Sequence, residues 1–247
     1  MTETFAALLL AHALADFVLQ TRWVAASKAN PLAMLIHTGT VLMAAVLVTG
    51  SVHPILIGLA AVHMAIDLGK LLAARALPKR HALVLFLTDQ ALHLASLMVI
   101  ARMAPDVWSS GLWSSGLFAA SGQLPALMTL ASGLIIATRA GGFAITILME
   151  PWSDASPHGL PNGGRAIGHL ERGLIFLLIL SDLAAGIGFL IAAKSVLRFG
   201  SVGDDRALSE YVIIGTLASF GWAIMTSTGT VALLSLLTPL GIPDLSH

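Results

Sequence analysis

From Leu32 to Thr49 the chain runs without a single Asp, Glu, Lys or Arg, and apolar stretches of this kind recur along most of its length. A helix crossing the hydrocarbon core of a bilayer needs about 20 mainly apolar residues. In lipid the backbone N–H and C=O groups must be satisfied within the structure itself, which selects helices or closed barrels. Composition agrees, with 57% hydrophobic and 11% charged residues, against about 25% charged in a soluble domain. The runs predict seven helices: Thr4–Gln20, Leu32–Thr49, Ile55–Ala76, His81–Met103, Leu124–Met149, Ile167–Leu197 and Glu210–Leu237. The expected fold class is all-α, a polytopic transmembrane helix bundle. Its parts are a four-helix N-terminal half (1–104), an extramembrane loop (105–123) and a three-helix C-terminal half (124–247). The first run is short for a full crossing.

Thirteen basic residues balance thirteen acidic ones. No basic stripe is available to grip a phosphate backbone, which excludes a nucleic-acid partner. Cysteine is absent, so disulfides, thiolate ligands and cysteine catalysis are excluded. Ala13-Leu14-Ala15 resembles a signal-peptide cleavage site, but Glu3 and the lack of Lys or Arg before Arg22 oppose that role. Basic residues in short loops mark the cytoplasmic side. Arg22 and Lys28 in one loop, and Lys70, Arg75, Lys79 and Arg80 in another, put the N-terminus outside. Arg165 and Arg172 fit this orientation; Lys194, Arg198 and Arg206 do not.

The informative residues are the ionisable ones inside the runs: His12-x3-Asp16, His37, His63-x3-Asp67 and Asp89-x3-His93. Residues four apart share a helix face. Ionisable groups in a span are costly, and they usually face the bundle interior and carry function. Counted from the basic loops, all seven fall roughly 5–20 Å from one boundary. The His–Asp order of the first and third helices inverts in the fourth, which runs opposite to them, as one shared site with a His layer above an Asp layer would require. Imidazole and carboxylate together suit Zn, with Fe or Mn as alternatives. Four His and three Asp exceed the four ligands of one zinc, so one or two divalent ions are expected. The metal ligands expected are His12, Asp16, His37, His63, Asp67, Asp89 and His93, with Asp16, Asp67 and Asp89 the candidates for catalytic carboxylates. A polar network that only joins helices and a proton or ion pathway are the alternatives. Gln20, Thr38, Lys70 and Gln90 flank the set. His53 and His81 read as interfacial, and Trp23, Trp108, Trp113 and Trp152 as the ordinary interfacial belt.

In the second half, Asn162-Gly163-Gly164-Arg165 opens a helix that continues with His169, Glu171 and Arg172. Free N–H groups at a helix start, with arginines beside them, can hold an anion. A Glu171–Arg pair would be the plain structural alternative. Lys194 and Arg198 share a face and suit lipid phosphates. Arg165, Glu171, Arg172, Lys194 and Arg198 are therefore the candidate head-group residues. Arg139 and Asp182 lie deep in their predicted helices and need partners, each other among them.

His12-Ala-Leu-Ala-Asp16-Phe-Val-Leu-Gln20, His63-x3-Asp67 and Asp89-Gln90-x2-His93 resemble the bacterial membrane proteins grouped as domain-of-unknown-function family 3307. Ile167-Gly168-x2-Glu171-Arg172, the run Gly188 to Ser195, and Glu210-Tyr211-x3-Gly215-Thr216-Leu217 look like that family's C-terminal part. The resemblance implies a multi-pass protein of a bacterial inner membrane and carries no activity with it. The ligand pattern is also similar in style to membrane-bound metal-dependent hydrolases. The function expected first is therefore a metal-dependent hydrolase acting on a lipid, isoprenoid or phosphoester substrate. Membrane lipids are its expected partners. A metal-ion or proton transporter is the first alternative, and an assembly factor without catalysis the second.

Overall fold

The computed structural model describes residues 1–115, 122–155, 162–202 and 206–239. It is all-α, with no strand among the described residues. The helices are α1 (Thr2–Leu14), α2 (Arg22–Ala26), α3 (Pro31–Thr49), α4 (Ile55–Ala76), α5 (Ala82–Met103), α6 (Leu124–Ile135), α7 (Gly141–Met149), α8 (Gly163–Leu180), α9 (Ala185–Val202) and α10 (Arg206–Leu234). Six segments are long and apolar enough to cross a membrane: Thr2–Leu19, Pro31–Thr49, Ile55–Ala76, Lys79–Met103, Leu124–Asp154 and Arg206–Leu234. The chain forms two compact units, one of Met1–Ile135 with Ala232–His247, the other Ile136–Val231.

In the first unit α1 packs against α3, α5 and α6, and α4 against α3 and α5. Its sequence, TETFAALLLAHAL, is apolar on every side, as a helix enclosed by others should be. Ala6, Ala7, Ala11, Ala13 and Ala15 are all buried, and side chains this small let neighbouring helices approach closely. After Leu14 the helix widens into a π-helical turn, Ala15–Leu19. Such turns inside α-helices often mark functional positions.

Local chemistry sets the ends of α3. Asn30 accepts a hydrogen bond from the Leu32 amide at 2.9 Å, and Pro31 takes the first helical position, where its missing N–H costs nothing. Gly50 closes the helix at φ 65°. A side chain there would also meet the Trp113 indole at 2.7 Å. The segment after α5 folds back over these helix ends. Thr4 donates to Pro105 O at 2.8 Å, and the Trp113 indole donates to Leu47 O at 2.8 Å. Trp108 is buried. Trp108 and Trp113 thus pin a loop.

In the second unit α7 is preceded by another π-helical turn, Ile136–Ala140. Two side chains hold its carbonyls: the Trp222 indole donates to Ile136 O and Arg172 to Thr138 O, both at 3.0 Å. Ile175, Ile187, Phe220 and Ala223 form the core of this unit.

The predicted sixth helix, Ile167–Leu197, is two helices. The α8 helix ends at Leu180, and Asp182 adopts φ 56°. The Leu183 amide donates to Leu178 O at 2.8 Å and the Asp182 amide to Ile179 O at 3.2 Å, the paired closure of a Schellman end. Aspartate is one of the few residues other than glycine that tolerate this conformation. Asp182 therefore sits in an exposed turn, and among the described residues it forms no ion pair with Arg139.

Candidate metal centre

The four helices α1, α3, α4 and α5 bring all seven predicted His and Asp residues into one cluster. His12, His37, His63, Asp67, Asp89 and His93 are each at most 4% exposed. The Asp16 side chain is 8% exposed. The imidazole rings pack against one another, tilted with centroids 4.0 Å apart for His63 and His93 and 5.2 Å for His37 and His63, and stacked at 5.1 Å for His12 and His93.

His37 Nε2 and His63 Nε2 each lie within 3.7 Å of both Asp16 Oδ1 and Asp67 Oδ2. The two nitrogens are 3.2 Å apart. His37 Nε2 lies 3.5 Å from Asp16 Oδ1 and 3.3 Å from Asp67 Oδ2. His63 Nε2 lies 3.4 Å and 3.7 Å from the same oxygens. A zinc ion bound at 2.0–2.1 Å in tetrahedral geometry separates its ligands by about 3.3 Å. Asp16 Oδ1 and Asp67 Oδ2 accept no hydrogen bond. Buried carboxylate oxygens are almost always satisfied, and here a protonated imidazole at 3.3–3.5 Å or a bound cation would satisfy them.

His12 and His93 form the other flank. The Nε2 of His12 lies 3.3 Å from Gln90 Oε1, an acceptor, so it carries the proton. Its Nδ1 is then a bare lone pair, buried and without a partner, 3.9 Å from Asp16 Oδ2. His93 is fixed the opposite way round. Its Nδ1 donates to the Asp89 backbone carbonyl at 2.9 Å, and its Nε2 is bare, buried and unpartnered. A second hydrogen bond that fixes the tautomer and frees the other nitrogen is the usual support of a metal-binding histidine. Three sets bring one ligand atom from each member within 4.8 Å of one another: Asp16–His37–His63, His12–Asp16–His93, and His63–Asp67–His93. Asp16 belongs to two of them because its oxygens face different ways. Asp16 lies in the π-helical turn Ala15–Leu19, four residues after His12.

The three aspartates differ in their cations. Lys28 donates to Asp67 Oδ1 at 2.6 Å and Lys70 to Asp89 Oδ2 at 2.8 Å. Asp16 has only histidines within ion-pair distance among the described residues. Asp89 lies outside the three sets. It accepts from Lys70 and from Gln90 Nε2 at 3.0 Å, and its Oδ1 is bare, 3.7 Å from His93 Nδ1. The Gln20 amide nitrogen is 3.3 Å from His37 Nδ1. Thr38 stays out of the cluster and donates to Met34 O within its own helix. The lysines are 20% and 33% exposed, so the carboxylate side of the cluster faces the rim. Beyond His12 and His63 the bundle closes with Leu8, Ala11, Val41, Ala45, Leu59 and Leu97, leaving a cavity of about 10 Å³.

Lys28 is the member that sequence reasoning passed over as a topology marker. The signal was the shortness of the loop carrying it, which must return from α1 to α3 across the rim. The candidate head-group residues do not gather. Glu171 pairs with Lys194 at 2.7 Å. Arg172 is buried on Thr138 O and on Ser219 Oγ, the latter at 3.0 Å. Arg165 is exposed. The side chain of Arg198 lies outside the described residues.

Residues 4–115 match the family described as protein of unknown function (DUF3307). The match spans α1 to α5 and with them every residue of the cluster. No curated protein and no solved structure matches the chain.

Proposed function

We propose that this chain is a membrane-embedded, metal-dependent hydrolase acting on a lipid-type or phosphoester substrate. The observation that carries it is that His37 Nε2 and His63 Nε2 lie 3.2 Å apart and each within 3.7 Å of two carboxylate oxygens that accept no hydrogen bond, Asp16 Oδ1 and Asp67 Oδ2, close to the spacing of ligands around a tetrahedral Zn²⁺. Fe or Mn also suit this donor set. A divalent ion held in this cluster with one position open would lower the pKa of a bound water to about 7 and polarise the bond to be cleaved. Asp89, outside the ligand sets and with a bare Oδ1, is the general base that takes the water's proton. The water oxygen bonds to the carbonyl carbon or phosphorus, the ester O–C or O–P bond breaks, and the proton passes to the departing alkoxide. Lys28 and Lys70 hold Asp67 and Asp89 in place from the rim, where a polar head group enters.

Transport of an ion through the same cluster would need a path to both faces. The apolar closure by Leu8, Val41, Ala45, Leu59 and Leu97, with room for about one water, favours chemistry on one side over passage. The break between α8 and α9 supports six spans rather than seven; an N-terminus outside and a bacterial inner membrane are part of the proposal, the first resting on the basic loops and the second on the family resemblance. With one span fewer than seven, Arg165, Lys194, Arg198 and Arg206 fall on the same side as Lys79 and Arg80, as the bias of basic loops requires.

Elemental analysis of the purified protein, with a screen of lipid esters and phosphoesters, tests the proposal. At least one equivalent of Zn, Fe or Mn is expected, falling in a His37→Ala, Asp67→Ala variant, together with ester cleavage that a chelator stops. Metal well below one equivalent and unchanged in the variant would overturn it.

A further inference from the structure

The set His37, His63, Asp16 and Asp67 supplies four protein ligands, and sites with four are closed to water, whereas catalytic ions keep a position free. This leaves open where an attacking water would bind. The other flank answers it. His12 Nδ1 and His93 Nε2 are buried lone pairs with no partner, each set by a hydrogen bond on its other nitrogen. Asp16 Oδ2 faces His12 Nδ1 at 3.9 Å while Asp16 Oδ1 faces the tetrahedral set. Ligand atoms of His12, Asp16 and His93 lie within 4.8 Å of one another. The small cavity that opens beside His12 and His63 has the volume of about one water.

The geometry points to a second divalent-ion site formed by His12, His93 and Asp16, with the Asp16 carboxylate bridging it to the first. The division of labour follows from ligand number. The ion at His37, His63, Asp16 and Asp67 is fully ligated and fixes Asp16 between the helices. The ion at His12, His93 and Asp16 has three protein ligands and a free position beside the one-water cavity. Two ions sharing a carboxylate form a centre of the kind that clamps both oxygens of a displacement reaction. Gln90 is a positioning residue for the second ion, since it fixes the His12 tautomer while anchored on Asp89.

This inference rests on the cluster being a metal centre, and one titration separates the two. The full chain in detergent is stripped with a chelator and reloaded with Mn²⁺ alone, followed by elemental analysis and electron paramagnetic resonance. Two equivalents of Mn²⁺ and the exchange-coupled signal of a pair are expected for the unaltered chain. The His12→Ala, His93→Ala variant should retain one equivalent and give the isolated six-line signal. Its retained ion shows that the bundle is still folded. If that variant binds none, the single His93→Gln change decides, with one equivalent again expected. One equivalent with an isolated signal in the unaltered chain overturns the second site and leaves the first. No bound ion at all overturns the metal centre itself.

Discussion

Replacing Asp16 by Asn should change the sign of its effect on stability when metal is added. Asp16 is a carboxylate with an 8% exposed side chain whose only ion-pair neighbours are imidazoles at 3.4–3.9 Å. Burying a charge costs several kcal/mol after relaxation, and at a pH high enough to keep the imidazoles neutral they return only part of that. In the chelated protein Asp16→Asn should therefore be stabilising, by about 1–3 kcal/mol. At about 2–4 °C per kcal/mol for a chain of this length, the melting temperature rises on the order of 5 °C. Metal reverses the order. An ion at a hundred times its Kd stabilises the unaltered chain by about 2.7 kcal/mol, or about 5–11 °C, and the variant, short of a ligand at both sites, gains little. The assay is thermal unfolding followed by tryptophan fluorescence in detergent, with chelator and then with Zn²⁺. An Asp16→Asn protein equally destabilised in both conditions would refute this account and make Asp16 a member of a polar network that merely joins helices.

Three further outcomes follow from the same contacts. Gln90→Leu removes the acceptor on His12 Nε2 and should weaken metal binding about 10–100-fold without altering helix content, read by competition with a chromogenic chelator; unchanged affinity would refute the tautomer assignment. Lys28→Ala strands the buried Asp67 charge and should cost about 2 kcal/mol in the chelated protein, less than the full penalty of a broken buried pair because Lys28 is partly exposed. That loss should shrink on metal loading, and a loss independent of metal would argue against Asp67 as a ligand. Because the chain has no cysteine, single substitutions report topology directly. Lys79→Cys and Arg206→Cys should label with a membrane-impermeant maleimide from one face and His53→Cys from the other, and labelling of Arg206→Cys from the His53 side would restore a seventh span.

The cluster was legible in the sequence because two periodicities agreed. The i,i+4 spacing put His12 with Asp16, His63 with Asp67 and Asp89 with His93, and the distance of each pair from the basic loops put them at one depth. Ile55–Ala76 was legible to the residue because Pro54 and Leu77-Pro78 bound an uninterrupted run. The division of the cluster into two sets was not legible. It depends on which way each carboxylate oxygen turns, and Asp16 stands in the π-helical turn Ala15–Leu19, which leaves no mark on hydrophobic periodicity. The break at Asp182 was hidden for a related reason. A single aspartate in the left-handed region ends a helix as a glycine does, but within an apolar run it reads as a buried charge in search of a partner. Arg172 was misread by type: arginines near a helix start suggest an anion, yet this one is consumed by the carbonyl that the second π-helical turn releases.

Formal charge bears on the substrate. With neutral histidines, three aspartates against Lys28 and Lys70 leave the cluster with one negative charge. One divalent ion turns this to one positive charge, and two ions to three. Surplus charge of that size among apolar helices is costly unless anions arrive with it. A hydroxide at the open position removes one unit, and a phosphoester head group between the ions and the rim lysines removes one or two more. A neutral carboxylic ester removes none. The two-ion centre therefore favours a phosphoester over a carboxylic ester within the proposed substrate class. Inorganic phosphate serves as the probe. Isothermal titration should show it binding the ion-loaded chain and not the chelated one, with affinity falling when His12 and His93 are both replaced by Ala. Binding of phosphate that survives chelation would move the anion site to the lysines alone and remove the charge-based case for a phosphoester.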